Sequence, residues 1–319
     1  MKAAVVRERG KGPVYGEWDA PSPRDGHEIV TVSASALTEL VKGRASGAHY
    51  SAPQTLPTGV GVDGVGRLSD GRRVYFILPV SPFGSMAEQT LVPATNVVPI
   101  PDGVSDVQAA ALGNPGMASW TPLTTRARLA RGERVLINGA TGIAGRLAVR
   151  VAKFLGASHV AATGRDPETL LALADEGADV IISLAQTPEE LDLAFNYEFS
   201  AGIDVVLDYL WGPSAEAIIS STVKHVKEGG RLRFVQVGAS SAPSIPLAAA
   251  SLRSSGLELI GSGLGSVPLP VLLEGVRGVL DAAGVAQWTV DAWPIPLSEL
   301  ETAWTRPPGK RRIIFTVGT

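Results

Sequence analysis

The chain has 319 residues, with 28 lysines and arginines against 31 aspartates and glutamates, and no cysteine. A net charge of −3 carries no bias toward nucleic acid or an anionic membrane, and the missing cysteines rule out a thiolate nucleophile, an iron–sulfur cluster and a cysteine-ligated zinc. No uncharged apolar run reaches the ~20 residues that span a bilayer. The opening MKAAVVRERGKG lacks the apolar core of a secretory signal, so the cytoplasm is the expected compartment.

The first third is rich in Gly and Pro and predicts short strands at MKAAVV, HEIVTVSASAL, GRRVYFIL and AEQTLVP, separated by turn clusters such as APSPRDG. Helical patterns follow over Asp102 to Ala111 and over Met117 to Ala130. From Glu133 to about Gly256, apolar strands alternate with amphipathic helices. The strands are RVLING, SHVAATG, ADVIIS, IDVVLDYL and RLRFVQVG; the helices are IAGRLAVRVAKFLG, PETLLALADEG, TPEELDLAFNYEF and SAEAIISSTVKHVKEGG. That alternation, with fully apolar strands, predicts a parallel sheet covered on both faces. LELIGSG adds a sixth strand, LPVLLEGVRGVLDAAG a further helix and RRIIFTV a closing strand.

The segment most charged with chemistry is RVLINGATGIAGRLAVRVAKFLGA, in which Gly139, Gly142 and Gly145 are spaced G-x-x-G-x-x-G between a strand and a helix. Such a turn lets the backbone N–H groups around Thr141, Gly142, Ile143 and Ala144 approach a pyrophosphate at a helix N-terminus. Any strand–helix turn can need glycine, but a second strand ending about 20 residues later suits the dinucleotide-binding unit. That strand ends at Thr163, Gly164 and Arg165. An NAD enzyme usually carries Asp or Glu here to accept from the ribose 2′-OH. Gly164 leaves room for a 2′-phosphate and Arg165 can fork onto it, so NADPH is the expected cofactor; the other reading is a solvated loop arginine. Asp166 is one place late and is expected to cap the next helix.

The segments GSMAEQTLVPATNVVPIPDGVSDVQAAAL, GMASWTPL and the glycine turn, in that order, resemble the medium-chain dehydrogenase/reductase superfamily, over Met1 to Thr319. The resemblance implies an α/β fold: a Rossmann doubly wound parallel sheet inserted into a GroES-like, β-rich catalytic domain, with the active site in a cleft at the junction. The expected division is 1–114 for the first part of the catalytic domain and 115–257 for the Rossmann domain. Residues 258–319 then supply the sixth Rossmann strand, a helix and the return to the catalytic domain.

The departures from the family pattern specify the branch. Zinc-dependent members carry Cys where Thr38 stands, and a Gly-His-Glu sequence where GVGVDGVG places Val62 and Asp63. These residues cannot supply three zinc ligands, and no metal is expected. The zinc-free branch resembles quinone oxidoreductases, zeta-crystallin and enoyl reductases, which implies hydride transfer from NADPH to a quinone or an α,β-unsaturated carbonyl. Within that branch an Asn is common at position 38 and a Tyr at position 43; here Thr38 and Gly43 stand instead. Tyr50, His49 and Asp63 are the candidates for proton donation, and Thr38, at the Asn position, is counted with Asp63 and Tyr50 in the catalytic site. Against those roles, Asp63 can cap a turn, Tyr50 can pack on a surface and His49 can be solvated. The later 2′-phosphate position is Thr169.

The resemblance implies further that the strand ending at Gly238 lies along the nicotinamide, and that Asn114 sits at the crossover between domains. Tyr209 and Trp211, at another strand end, either line the cleft or pack. LELIGSG is expected to pair with its copy in a homodimer, or to be covered by SVPLPVLLEG in a monomer. A nucleotide-binding protein with little catalysis, as among crystallin-type or nucleic-acid-binding relatives, is the alternative function. The expected partner is a small molecule, with no nucleic acid or membrane.

Overall fold

The computed structural model describes residues 1–226, 228–306, 309 and 311–318. The chain divides into two compact units, Met1–Asn114 with Val276–Thr319, and Pro115–Gly275.

Along the first segment run β1 (Lys2–Val6), β2 (Val14–Glu17), β3 (His27–Ala36), α1 (Glu39–Ser46), β4 (Thr58–Gly59), β5 (Asp63–Arg67), β6 (Arg73–Ile77), β7 (Gln89–Pro93) and β8 (Val97–Pro99). Next come α2 (Asp106–Thr121), β9 (Arg134–Asn138), α3 (Ile143–Phe154), β10 (His159–Gly164), α4 (Pro167–Ala172), β11 (Val180–Ser183) and α5 (Pro188–Ser200). The remainder holds β12 (Val205–Asp208), α6 (Gly212–His225), β13 (Leu232–Gln236), α7 (Ala249–Arg253), β14 (Leu257–Gly261), α8 (Leu269–Ala286), β15 (Ala292–Pro296), α9 (Leu300–Trp304) and β16 (Arg312–Thr316).

The first unit is β-rich. One sheet has the order β2-β1-β4; a larger one runs β15-β16-β3-β5-β6-β8, with β7 also pairing β3. The C-terminal strand β16 lies antiparallel to β3, with Phe315 opposite Ser35, which fixes the tail in the N-terminal unit. Alternate residues of β3 and β6, among them Val30, Val32, Val74 and Phe76, bury one sheet face with Met86 and Phe315 in a common core.

The second unit holds six parallel strands in the order β11-β10-β9-β12-β13-β14. Counted within the unit this is 3-2-1-4-5-6, the dinucleotide-binding order, whose topology reverses between β9 and β12. The central strands are buried along their length, as VVLD of β12 illustrates, while the edge strands β11 and β14 are partly exposed. The helices start where the sequence provides for it. Asp166 caps α4, with Pro167 at the first helical position. Thr187 and Glu190 form a reciprocal capping box for α5.

Several expectations are corrected. The two helices expected over 102–111 and 117–130 are one helix, α2, which runs through Pro115. Proline lacks the N–H that Ala111 would otherwise receive, yet Ala109–Leu112 and Met117 are buried, and packing carries the helix across. Ser119 Oγ donates to the Pro115 carbonyl at 2.8 Å. The helix expected over PETLLALADEG ends early, at Ala172. The one expected over 214–230 starts two residues sooner and ends at His225; its Lys227 lies outside the described residues. The expectations missed β2, β4, β5, β8 and β15, five strands of two to five residues. Among the described residues no helix is long and apolar enough to cross a membrane.

Candidate functional site

In the second unit, β9 ends at Asn138 and the chain turns through Gly139, Ala140, Thr141 and Gly142 into α3. Gly139 has φ +91°, a conformation that penalises side chains, and an added Cβ would also lie 2.8 Å from Leu210 Cγ. At Gly145 a Cβ would lie 2.6 Å from Ala140 Cα, so this glycine lets α3 press onto the turn. Gly142 differs from both: a Cβ there would meet nothing nearer than the Gly139 carbonyl at 3.7 Å. Gly142 is the N-cap of α3 and offers no side-chain cap. The first bond back into this helix is Arg146 N–H to the Gly142 carbonyl, at 2.9 Å. Among the described residues, the N–H groups of Ile143 and Ala144 therefore have no acceptor. Two unpaired donors at the positive end of a helix, beside open space, suit a phosphate group.

A buried polar chain holds this turn from below. Thr163 Oγ1, at the end of β10, accepts from Gly139 N–H (3.1 Å) and donates to Asn138 Oδ1 (2.7 Å). Asn138 Nδ2 donates to Asp208 Oδ1 (2.8 Å) and to Ser214 Oγ (2.9 Å). Asp208, at the end of β12, also accepts from the backbone of Leu210 and Trp211 at 3.0–3.1 Å. Burial raises the Asp208 carboxyl above its ordinary range, and these donors oppose the rise. They also hold Trp211 at φ 58° and ψ −165°, a backbone conformation that costs a non-glycine residue about 1–3 kcal/mol.

The structure changes the reason for Gly164. A Cβ on Gly164 would run into the Thr141 side chain, with Oγ1 at 2.9 Å and Cγ2 nearer still. The space is filled by Thr141, so Gly164 is required by packing rather than by room for a ligand. Arg165 is exposed at the mouth of β10 and has no ion pair or hydrogen bond among the described residues. Asp166 Oδ2 accepts from Thr169 N–H at 2.9 Å, so both residues belong to the cap. Gly238 is close-packed too: a Cβ there would lie 2.7 Å from the Tyr209 carbonyl. The Tyr209 hydroxyl donates to the Ala118 carbonyl at 3.0 Å, and the Trp211 ring packs edge-on to Phe234 at 6.1 Å, so both aromatics are packing residues. Asn114 lies inside α2, half-buried, at the last position of the first unit.

In the first unit Thr38, Tyr50, Asp63 and His49 stand in unlike surroundings. Thr38 is the N-cap of α1, its hydroxyl accepting from Val41 N–H at 3.0 Å. Tyr50 is 73% exposed, with its ring 4.2 Å from that of His49. Asp63 does not cap a turn; it begins β5 and is buried. Tyr75 donates to Asp63 Oδ2 at 2.6 Å, while Asp63 Oδ1 and the nearby Arg312 Nε are buried without partners. Burial pushes the Asp63 carboxyl up to about 6, against the pull of the Tyr75 hydroxyl and the Arg312 charge. His49 is half-buried rather than solvated, its Nδ1 2.8 Å from Ser51 Oγ.

Sequence reasoning missed Asn138, directly before the glycine turn, and Tyr75, Arg312 and Asp208, which become neighbours of the candidates only through the sheets. It also missed Arg44, which lines a cavity of about 200 Å³ in the first unit. None of Thr38, Tyr50 or Asp63 lines that cavity, although Val62, next to Asp63, does. Among the described residues no group of three or more His, Cys, Asp or Glu is arranged to hold a metal ion.

No family model matches the chain. Among curated proteins it is similar to a probable NADPH-dependent quinone reductase, tdiC, from Emericella nidulans. The two are 32% identical over 259 residues, which cover 71% of this chain and 72% of that protein. It is also 36% identical over 179 residues to a phenolphthiocerol/phthiocerol polyketide synthase of Mycobacterium tuberculosis. That match covers 56% of this chain but only 7% of the synthase. Among solved structures it is similar to the quinone oxidoreductase of Thermus thermophilus, solved also in complex with NADPH. Here the TM-score is 0.80 at 25% identity, over 99% of this chain and 100% of that one. A mycobacterial quinone oxidoreductase shares the fold, with a TM-score of 0.84 at 22% identity over 99% of both chains.

Proposed function

Because the chain belongs to the quinone oxidoreductase family of the medium-chain dehydrogenases and reductases, we propose that it reduces a quinone, or a C=C bond conjugated to a carbonyl, with NADPH and without a metal ion. It is an NADPH-dependent oxidoreductase on this reading. The observation that carries it is the turn from Gly139 to Gly142. There, two unpaired N–H groups open onto free space at the N-terminus of α3, and a basic residue, not an acidic one, follows β10.

Bound NADPH supplies a hydride. The chain's own residues bind and orient. The N–H groups of Ile143 and Ala144, beside Gly142, would hold the diphosphate, and Arg165 would fork onto the 2′-phosphate. Thr141, seated against Gly164, and the buried Thr163–Asn138–Asp208 chain keep the turn in register for that contact. Gly238 and Asn114 are assigned to the nicotinamide on the family resemblance. The two zinc-ligand positions do not fit a zinc: the Thr38 hydroxyl is used as a helix cap, and Val62 is a buried hydrocarbon. Because Thr38 is so committed and Tyr50 is exposed, the proton that completes the reduction is assigned to solvent. Asp63 is then a buried acid held by Tyr75 and Arg312. A conjugated acceptor tolerates this, since its carbonyl spreads the charge that arrives with the hydride.

The edge strand β14 supports a homodimer. Leu259 lies exposed on a strand with a hydrogen-bonded neighbour on one side only, and pairing with a second copy would cover it.

The test is anaerobic oxidation of NADPH with a panel of quinones and enones, run beside NADP⁺ reduction by simple alcohols with and without chelator. Rapid, chelator-insensitive reduction of a quinone or enone is expected. Faster oxidation of alcohols would sink the reading. Tight NADPH binding with no turnover of any acceptor would favour a nucleotide-binding protein with little catalysis.

A further inference from the structure

The cavity of the first unit is lined mostly by hydrocarbon, including Val6, Val41, Val60, Leu78 and Phe83. One full charge stands in its wall, that of Arg44 from α1. Its Nη1 donates to the Ser51 carbonyl and, at 2.7 Å, to Ser51 Oγ. Nε and Nη2 have no partner among the described residues, and no carboxylate forms an ion pair with the side chain. Burial alone accounts for the downward pull on its pKa. Two further basic side chains stand close to it. His49 sits on the same Ser51 hydroxyl, and burial and the Arg44 charge both hold it toward its neutral form. Arg9 donates to the carbonyls of Pro53 and Gln54, two more residues of the cavity wall.

A half-buried guanidinium without a counter-ion is costly unless something arrives to pair with it. Its anchored Nη1 fixes the plane of the fork, so the remaining donors are preorganised for a planar, two-oxygen acceptor. The hydrocarbon lining around it suits a flat apolar body. We propose that this cavity binds a planar, apolar ligand carrying an anionic group of the carboxylate class, which Arg44 reads. The assignment rests on the quinone reductase reading for one step: the ligand is then the electron acceptor itself, and the enzyme favours anionic acceptors over neutral ones of the same shape.

Binding and turnover are tested separately. In the full-length protein, calorimetric titration with 2-naphthoate is compared with the neutral 2-naphthalenemethanol, a comparison that needs no variant. The carboxylate is expected to bind about tenfold tighter or more, the scale of one charge-assisted hydrogen-bonded pair. Equal affinities, or no binding of naphthoate, overturn the proposal. Arg44→Met is expected to abolish the preference. Lys42→Met, which removes a charge from the same helix outside the cavity wall, is expected to keep it. Equal losses in both variants would mean a general field effect and overturn the site. In turnover, Arg44→Met is expected to raise KM about tenfold for 1,4-naphthoquinone-2-carboxylate and to leave 1,4-naphthoquinone unchanged. Equal rises for both quinones overturn the specificity role. If neither quinone is reduced the reductase reading fails, and the naphthoate titration still decides the site.

Discussion

The Thr141 side chain stands where the Cβ of residue 164 would be, so the glycine turn after β9 and the end of β10 are fitted to each other across one missing methyl group. Gly164→Ala is therefore expected to overpack the site and to cost about 1–3 kcal/mol of stability. Thr141→Ala empties the space. In the double variant the penalty for the added methyl should largely disappear, a coupling of about 1 kcal/mol or more in a denaturation cycle. Additive losses would mean that the two residues do not share this space.

The three glycines of the turn should separate by readout. Gly145→Ala meets backbone and is expected to lower stability by about 1–3 kcal/mol. Gly142→Ala meets nothing within ordinary contact except one carbonyl, so its melting temperature should stay close to wild type. It should nonetheless weaken NADPH, because the methyl occupies the approach to the Ile143 and Ala144 N–H groups. Unchanged NADPH affinity in Gly142→Ala would place the diphosphate elsewhere.

Arg165→Ala is expected to weaken NADPH by about 1–3 kcal/mol, the scale of a charge-assisted contact, and to leave NADH almost untouched. Fluorescence titration with both cofactors checks this. Equal losses for the two would remove Arg165 from the 2′-phosphate.

Asp63 makes stability depend on pH with a definite sign. Its carboxyl titrates near 6 in the folded chain, above its ordinary value, so the folded state binds this proton more tightly than the unfolded state. Its contribution is most favourable below the unfolded pKa and falls as pH rises from about 4 through about 6. Asp63→Asn removes that dependence and keeps an acceptor for the Tyr75 hydroxyl. Measured by denaturation, the stability difference should shift in favour of the variant by about 2 kcal/mol between pH 4 and pH 7. A shift in the opposite direction would show that Arg312 holds the carboxylate ionised.

Leu259→Lys, on the exposed edge of β14, is expected to turn a dimer into a monomer without lowering the melting temperature of the single chain. Sedimentation velocity at micromolar concentration reads the mass. A wild type that already sediments as a single chain would end the dimer proposal.

The parts of the site that are legible in the sequence are those whose constraints are local. Gly139, Gly142 and Gly145 lie within seven consecutive residues, and the Asp166 cap needs only the residues after it. Asp63, Tyr75 and Arg312 meet because β5, β6 and β16 belong to one sheet, and nothing in the spacing of 63, 75 and 312 says so. Gly164 reads in the sequence as room for a ligand, because its real neighbour, Thr141, lies on another element. Pro115 misleads in the opposite way: as a local signal it ends helices, and here the burial of its flanks overrides it. Arg44 gives no signal, since an arginine on a short helix reads as a solvated one until the cavity is seen.

The hydrogen bonds from Thr163 through Asn138 to Asp208 all point the same way. Each side chain donates to the next, and the last receives from its neighbours and gives nothing back. Such a row has a polarity, like a row of dominoes that can fall in only one direction. An amide suits the middle because it can take on one side and give on the other. The terminal position faces donors all around, so only a group with nothing to donate sits there without conflict. Asparagine and aspartate differ by a single atom, yet at 138 and 208 they cannot exchange places.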